Sequence, residues 1–187
     1  MEAVNLAADK ASLRRHFIQT RQSVKPTSEA RRLLSIHLDR LIRDLTTAQT
    51  QILLHCPLKN EARFDLEGSY FYPVMTGQEL RFYRGEPSVK NRVGILEPDP
   101  SFSAPLKSLQ PILVVCPAVA VDRFGNRLGM GKGFYDRFFQ SHPHAIRVGV
   151  VHHVQVSKDP LPADSWDQPL DWIVSEEMIL RTSTRRS

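Results

Sequence analysis

Residues 127–137, RLGMGKGFYDR, combine three glycines with Arg127, Lys132 and Asp136. Glycines let the backbone come close to an anion and adopt positive φ, so several N–H groups can point at it. Arg127 and Lys132 add full positive charges, and arginine can hold phosphate oxygens through two parallel hydrogen bonds. Asp136 would repel a bare phosphate, but it suits the Mg²⁺ that accompanies nucleotide phosphates. The stretch therefore predicts a phosphate site for a nucleotide with its magnesium ion.

Two common nucleotide motifs do not fit this stretch. A P-loop needs Ser or Thr directly after the lysine, and here Gly133 follows Lys132. A dinucleotide fingerprint needs a third glycine where Phe134 stands. A flexible surface turn that happens to contain glycines is the remaining alternative, but it does not explain why cations and an acid flank the same few residues.

The elements around the loop support a phosphate site. The segment 112–122, ILVVCPAVAVD, is apolar on both faces, which predicts a buried central strand. A turn follows, and residues 133–140 predict a short helix that begins at the glycines. A helix N-terminus carries a partial positive charge, so it would add to the attraction for an anion.

The rest of the chain alternates between helical and strand patterns. Residues 9–23 and 28–45 predict helices, and residues 85–110 are rich in proline, serine and charge, which predicts mostly irregular structure. We therefore expect one α/β domain over residues 1–187, with three layers: an open, mixed, mostly parallel sheet with helices on both faces. The remaining predicted strands are 51–56, 69–75, 79–84, 145–151 and 171–175.

The first predicted helix carries a basic face. Lys10, Arg14 and Arg21 are separated by four and seven residues, so they share one side of the helix. Such a face is usually solvated, and the pattern alone leaves open whether it contacts a ligand.

Composition sets limits on the kind of protein. The net charge of +5 and pI of about 9.5 raise the possibility of a nucleic-acid partner, but residues 181–187 supply three arginines and predict a flexible basic tail. The chain lacks the interleaved basic and aromatic strand motif of RNA-binding modules, so we expect no nucleic-acid partner. It has neither a signal-like stretch nor a long apolar run, so we expect a cytoplasmic protein without a membrane partner. Cys56 and Cys116 are too few for a disulfide framework and lack metal-ligand spacing.

The glycine-rich stretch and its strand resemble the signature of 5-formyltetrahydrofolate cyclo-ligase, a family also called 5,10-methenyltetrahydrofolate synthetase. The resemblance covers nearly the whole chain in order. Besides the glycine stretch, the features that carry it are Lys10 and Arg14 in the first helix, a strand followed by Glu61, Pro73 in a short strand, GILEP at 94–98, and Asp171 near the C-terminus.

The resemblance implies a reaction. The family uses ATP and Mg²⁺ to convert 5-formyltetrahydrofolate to 5,10-methenyltetrahydrofolate, releasing ADP and phosphate. Because a formamide oxygen is a poor leaving group, transfer of the γ-phosphoryl group to that oxygen gives an activated imidate that N10 can attack. An enzyme of this kind must hold two anionic substrates in line and neutralise charge on the moving phosphoryl group.

The resemblance also implies roles for individual residues. The catalytic residues would be Arg127 and Lys132, both expected to face solvent without ligand. The metal ligands would be Asp136 and Asp171. The ATP-binding residues would be Lys10, Arg14, Arg127, Leu128, Gly129, Met130, Gly131, Lys132, Gly133, Phe134 and Tyr135. The folate-binding residues would be Cys56, Glu61, Met130, Gly131, Lys132, Gly133 and Phe134.

Several alternatives remain open on the sequence. Phe134 and Tyr135 could stack on a pterin or adenine ring, or they could pack in the core. Residues 62–65, ARFD, depart from the family pattern after Glu61, which leaves the local folate contacts open. His55 fits a packed histidine at a strand end better than a base. A non-catalytic nucleotide- or folate-binding protein of the same fold is the alternative to an enzyme, and we expect a monomer.

Overall fold

A computed structural model describes residues 9–25, 27–91, 94–107 and 109–183 of the chain. Within these residues the α-helices α1, α2 and α3 span Lys10–Ser23, Ser28–Leu45 and Phe134–Ser141. In chain order, strands β1 to β13 span Gln51–Leu53, Phe71–Thr76, Glu79–Arg84, Val89–Lys90, Leu96–Glu97, Ala104–Pro105, Ile112–Pro117, Ala120–Asp122, Arg127–Leu128, Ile146–Val150, Val156–Ser157, Trp172–Val174 and Ile179–Arg181.

The larger sheet has eight strands in the order β13-β12-β10-β7-β1-β2-β3-β6. The five strands from β12 to β2 are parallel, while β13, β3 and β6 pair antiparallel with their neighbours. The chain goes from β1 to β2 on one side and later enters β7 on the other side of β1. In open α/β sheets this reversal leaves a crevice at the carboxyl ends of the two central strands, where ligands bind. The predicted fold class is confirmed, and the strand order comes from the structure alone.

Helices cover both faces of this sheet because β7 is apolar on both. Cys116 on one face packs in a buried cluster with Phe139 of α3. Val115 on the other face packs in a second cluster with Leu38 of α2. All four side chains are fully buried. Side chains alternate between faces along a strand, so a continuous apolar run is what a strand between two helical layers requires.

A smaller sheet, in the order β11-β8-β9, lies beyond the end of β7 and supports α1. Phe17 of α1 packs in a third buried cluster with Val119, Leu128 and Leu161. Asp9 caps the start of α1 by accepting a hydrogen bond of 2.6 Å from the backbone N–H of Ser12. The first helix is therefore held against the hairpin that leads into the glycine-rich stretch.

The predicted continuous strand 112–122 is two strands. β7 ends at Pro117, which has no N–H for a sheet ladder. The side chain of Gln155 donates to the carbonyls of Ala118 and Val119, both at 2.9 Å. Those bonds satisfy the backbone at the bend and send β8 into the smaller sheet.

Other boundaries differ by one to three residues from the predicted ones. The C-terminal prediction is wrong for residues 181–183: Arg181 ends β13, Thr182 is buried, and the N–H of Ser183 donates to the carbonyl of Arg123 at 3.1 Å. Residues 184–187 lie outside the described residues. Among the helices of the described ranges, none combines the length and apolar character that a bilayer crossing needs.

Candidate functional site

The glycine loop, defined as residues 129–133, connects β9 to α3. Gly131 and Gly133 have φ of 86° and 65°, a conformation that side-chain-bearing residues rarely adopt. Gly133 is the N-cap of α3, and in the described part of the chain no side chain caps that helix start. The first-turn N–H groups of α3 are therefore available to a ligand. Met130 and Lys132 are exposed on the same loop.

Asp122 shapes the turn that leads into the loop. It is only 1% exposed, and its carboxylate accepts from the backbone N–H groups of Phe124 at 2.9 Å, Asn126 at 3.0 Å and Leu161 at 2.7 Å. In the sequence Asp122 predicts only the end of the strand 112–122. Aspartate, glycine and asparagine are typical turn residues, and Gly125 and Asn126 come three and four residues after Asp122, so the turn could have been predicted.

Arg127 and Asp136 form an ion pair beneath the start of α3. Arg127 Nη2 donates to Asp136 Oδ1 at 2.8 Å, and the Arg127 side chain is 5% exposed. The guanidinium lies 5.7 Å from the ring centroid of Tyr135. The expectation that Arg127 faces solvent is therefore wrong, because its side chain points back under the helix. Lys132 is exposed as expected.

All three cations on the predicted basic face of α1 make long-range contacts. Lys10 Nζ donates to Asp164 at 2.6 Å and also contacts Asp167. Arg14 Nε donates to the carbonyl of Gly129 at 2.8 Å. Burial disfavours the charge on Lys10, but its hydrogen bonds to the two aspartates outweigh burial and raise its pKa. The face is therefore docked on the site, and the solvated alternative is wrong.

The third cation of that face, Arg21, reaches Glu61. Arg21 Nη1 lies 3.4 Å from Glu61 Oε1, with side chains 8% and 9% exposed, and Glu61 Oε2 accepts from the N–H of Leu58 at 2.9 Å. Glu61 follows β1, so it lies at the carboxyl end of a strand that borders the crevice. The structure therefore brings Glu61 to the same helix as Lys10 and Arg14.

Two predicted neighbours of Glu61 are not reactive groups. Burial lowers the pKa of His55 despite the nearby charge of Glu61. Burial raises the pKa of the Cys56 thiol to about 12, with Glu97 and Glu86 adding to the effect. A neutral thiol is a poor nucleophile, so Cys56 can contribute packing or a weak polar contact to the site.

The two predicted metal ligands differ in position. Asp136 lies in the first turn of α3 and accepts from the N–H of Gln168 at 3.3 Å. Asp171 lies just before β12, at the amino end of the parallel strands, and its Oδ2 accepts from the N–H of Arg147 at 2.8 Å. Asp167 is the carboxylate next to Gln168, and it lines a cavity of about 310 Å³ together with Arg127.

Asp167 is therefore close in sequence to the contact with Asp136, while Asp171 lies at the other end of the parallel strands. Across the described ranges no group of three His, Cys, Asp or Glu side chains is placed to hold a metal. Two carboxylates still fit Mg²⁺, which keeps several waters and is completed by substrate phosphates.

The remaining predicted residues divide between core and surface. Leu128 is 2% exposed and belongs to the cluster beneath α1, so only its backbone borders the loop. Tyr135 packs on the core beside Phe139, with ring centroids 6.2 Å apart. Phe134 is half-buried, and Arg137 lies 5.3 Å from its ring centroid. Phe134 is therefore the better placed of the two aromatics to meet a ligand.

Comparison with known proteins identifies the family of this chain. Residues 7–176 match the profile of the 5-formyltetrahydrofolate cyclo-ligase family. The chain is 38% identical over 104 residues to 5-formyltetrahydrofolate cyclo-ligase of Escherichia coli (strain K12); the match covers 54% of this chain and 56% of that relative, so it spans about half the relative's length. The enzyme of that name from Mycoplasma pneumoniae is 27% identical over 180 residues, which cover 90% of this chain and 99% of the relative.

A solved structure shares the fold. The NMR structure of Aquifex aeolicus 5,10-methenyltetrahydrofolate synthetase superimposes with a TM-score of 0.70 at 28% identity and covers 95% of both chains. The range matched by the family profile, residues 7–176, includes α1 and the glycine loop. This chain belongs to the 5-formyltetrahydrofolate cyclo-ligase family.

Proposed function

We propose that this chain catalyses the ATP- and Mg²⁺-dependent cyclisation of 5-formyltetrahydrofolate to 5,10-methenyltetrahydrofolate. The formyl oxygen attacks the γ-phosphorus of ATP, ADP leaves, and a phosphorylated imidate forms. N10 then attacks the formyl carbon and loses its proton, and phosphate departs with the former formyl oxygen. Holding the two substrates in line accounts for much of the rate increase in such a reaction.

One observation carries this proposal: a single helix contacts both halves of the site. α1 places Arg14 on the carbonyl of Gly129 and Arg21 on Glu61. The glycine loop suits a phosphate group, and Glu61 lies at the carboxyl edge of the sheet. A site for two anionic substrates needs this kind of shared support, because both must be held in one geometry.

Residues of the glycine loop and of the elements around it would bind different parts of Mg-ATP. The first-turn N–H groups of α3 and the ammonium of Lys132 are the groups available to the phosphates. Lys10 reaches them by leaving its contacts with Asp164 and Asp167. Arg127 holds Asp136 in place from beneath the helix. Asp136 and Asp167 are the carboxylates that would hold Mg²⁺, which would neutralise charge on the transferring phosphoryl group.

Folate would bind next to the Glu61 carboxylate. The Glu61 carboxylate accepts two hydrogen bonds, from Arg21 and Leu58, and a carboxylate has about four acceptor positions. It can therefore accept N–H groups of a pterin ring. Lys59 and Arg63, two residues to either side of Glu61, line a cavity of about 750 Å³ against α2 that also carries Asp65 and Glu176. The positive charges of Lys59 and Arg63 would suit the glutamate end of folate.

Turnover decides between this enzyme and a non-catalytic binding protein of the same fold. The chain is incubated with 5-formyltetrahydrofolate and Mg-ATP, and methenyl-folate absorbance is followed in the near ultraviolet. We expect a signal that requires ATP and is lost with EDTA. A chain that binds ADP and 5-formyltetrahydrofolate but gives no absorbance change would support the binding protein and overturn the proposal.

A further inference from the structure

Arg21 is a buried cation to which the proposed chemistry assigns no contact with either substrate. Its side chain is 8% exposed, and its Nη1 lies 3.4 Å from Glu61 Oε1. Its Nε is buried and has no hydrogen-bond partner among the described residues. A buried guanidinium is normally paired by several good bonds, so this one long contact needs an explanation.

Stability alone is a weak explanation for this pair. Removing two charges from water is costly, and the attraction between them repays the cost only when the geometry is good and the remaining donors are bonded. Here the contact is long and one donor is left without a partner. Buried pairs of this kind can instead be kept because they fix one arrangement of the chain.

The two buried histidines beside the pair cannot replace Arg21. His55 and His152 are buried beside the pair, and burial lowers the pKa of each. Both rings are therefore neutral near pH 7 and bring no positive charge to Glu61. The backbone N–H of Leu58 holds the other carboxylate oxygen, at 2.9 Å. Arg21 supplies the charge that faces Glu61, and Leu58 fixes the second oxygen.

The helix sets the distance between the two halves of the site. Arg14 and Arg21 are seven residues apart on α1, which corresponds to about 10 Å along the helix axis. Arg14 holds the glycine loop through Gly129, and Arg21 holds Glu61. A rigid helix bonded at both points keeps the folate acceptor at a fixed distance from the phosphate loop.

We propose that Arg21 is a positioning residue that orients the Glu61 carboxylate toward folate and ties it, through α1, to the phosphate loop. This inference rests on the proposed function. Arg21 acts through Glu61 and touches neither substrate. Its loss should therefore weaken folate use while leaving nucleotide binding intact, which a general loss of packing would not do.

The test is a double-mutant cycle of wild type, Arg21→Met, Glu61→Gln and the combination. We expect Arg21→Met to raise KM for 5-formyltetrahydrofolate about ten- to a hundredfold, the value of one bond to a charged group. KM for Mg-ATP and affinity for ADP should stay within about twofold. In the Glu61→Gln background, adding Arg21→Met should change the folate KM by no more than about twofold.

Two further variants separate positioning from folding. Arg21→Lys keeps the charge and should recover part of the folate KM. Arg43→Met removes an exposed ion pair with Asp39 on α2 and should leave every constant unchanged. If Arg21→Met does not fold, the inference is tested with the combined variant, which leaves no unpaired buried charge. Its KM for 5-formyltetrahydrofolate is then compared with that of Glu61→Gln alone.

An unchanged folate KM in Arg21→Met, or additive effects in the cycle, would overturn the inference and leave the proposed function intact. Absence of turnover in the wild type would instead contradict the proposed function. In that case the dissociation constants for 5-formyltetrahydrofolate are compared among the four proteins. They should show weaker binding in Arg21→Met and no further weakening when Arg21→Met is added to Glu61→Gln.

Discussion

Because Arg127 forms a buried ion pair with Asp136, its loss should lower both the free energy of unfolding and the turnover rate. Replacing Arg127 with methionine keeps most of the side-chain volume but leaves Asp136 without its cation beneath α3. Breaking a buried ion pair from one side costs about 3–5 kcal/mol. Asp136 is 18% exposed and keeps its bond from Gln168, so we expect the lower end, about 3 kcal/mol.

That loss corresponds to a melting temperature about 6–12 °C lower for a chain of this size. Thermal unfolding followed by circular dichroism measures it, and the absorbance assay on the same preparations measures turnover. Lys132→Met is the matched control: it removes a cation of the glycine loop that is exposed and makes no ion pair in the described ranges. Its melting temperature should stay within about 2 °C of wild type, while its turnover should fall about a hundredfold or more.

The two variants distinguish a buried cation that holds an ion pair from an exposed cation to which the proposed function assigns a phosphate contact. Arg127→Met should lower both stability and turnover, and Lys132→Met should lower turnover alone. A melting temperature for Arg127→Met within about 2 °C of wild type would show that the ion pair is not formed in solution. An equal loss of stability in Lys132→Met would refute the assignment of that side chain to the surface.

Two other predictions concern buried titratable groups. Burial lowers the pKa of His55 below its ordinary 6.5, so below about pH 6.5 the unfolded chain binds a proton that the folded chain does not, and stability is lost as the pH falls. The fall in melting temperature between pH 7 and pH 5 should be smaller in His55→Phe than in wild type. The control His144→Gln, which replaces an exposed histidine, should show the same fall as wild type. Equal falls in all three proteins would contradict this prediction. The Cys56 thiol, with its pKa raised from 9.0 to about 12, should form about a thousandfold less thiolate than a free thiol. Iodoacetamide at pH 8 should leave Cys56 unmodified by mass spectrometry until urea is added, and rapid modification of the native chain would contradict this.

The parts of the site that the sequence predicted are those set by neighbouring residues. The glycines at 129–133 predicted a loop with positive φ, and Gly131 and Gly133 adopt it. The spacing of Lys10, Arg14 and Arg21 predicted a shared helix face, because helical periodicity depends on the local chain only. The apolar run from 112 predicted a strand covered on both sides, which β7 is.

The predictions that failed depended on partners distant in the chain. Arg127 looked exposed because it stands beside flexible glycines, but α3 returns over it and supplies Asp136. The role of Asp171 as a metal ligand stays a prediction; its position at the amino end of its strand and the position of Asp167 next to the contact with Asp136 both depend on distant segments. The break after Pro117 depends on Gln155, which is contributed by a turn nearly forty residues later.

By itself, the sequence determined the glycine loop, the basic face of α1, the strand buried on both faces and the family resemblance. Each of these depends on the types of residues that lie close together in the sequence. Only the tertiary structure decided the strand order, the burial of Arg127, and the contacts of Lys10 with Asp164 and of Arg21 with Glu61. The physical reason is that ion pairing and burial depend on which segments fold against one another. Side-chain type and local periodicity do not carry that information.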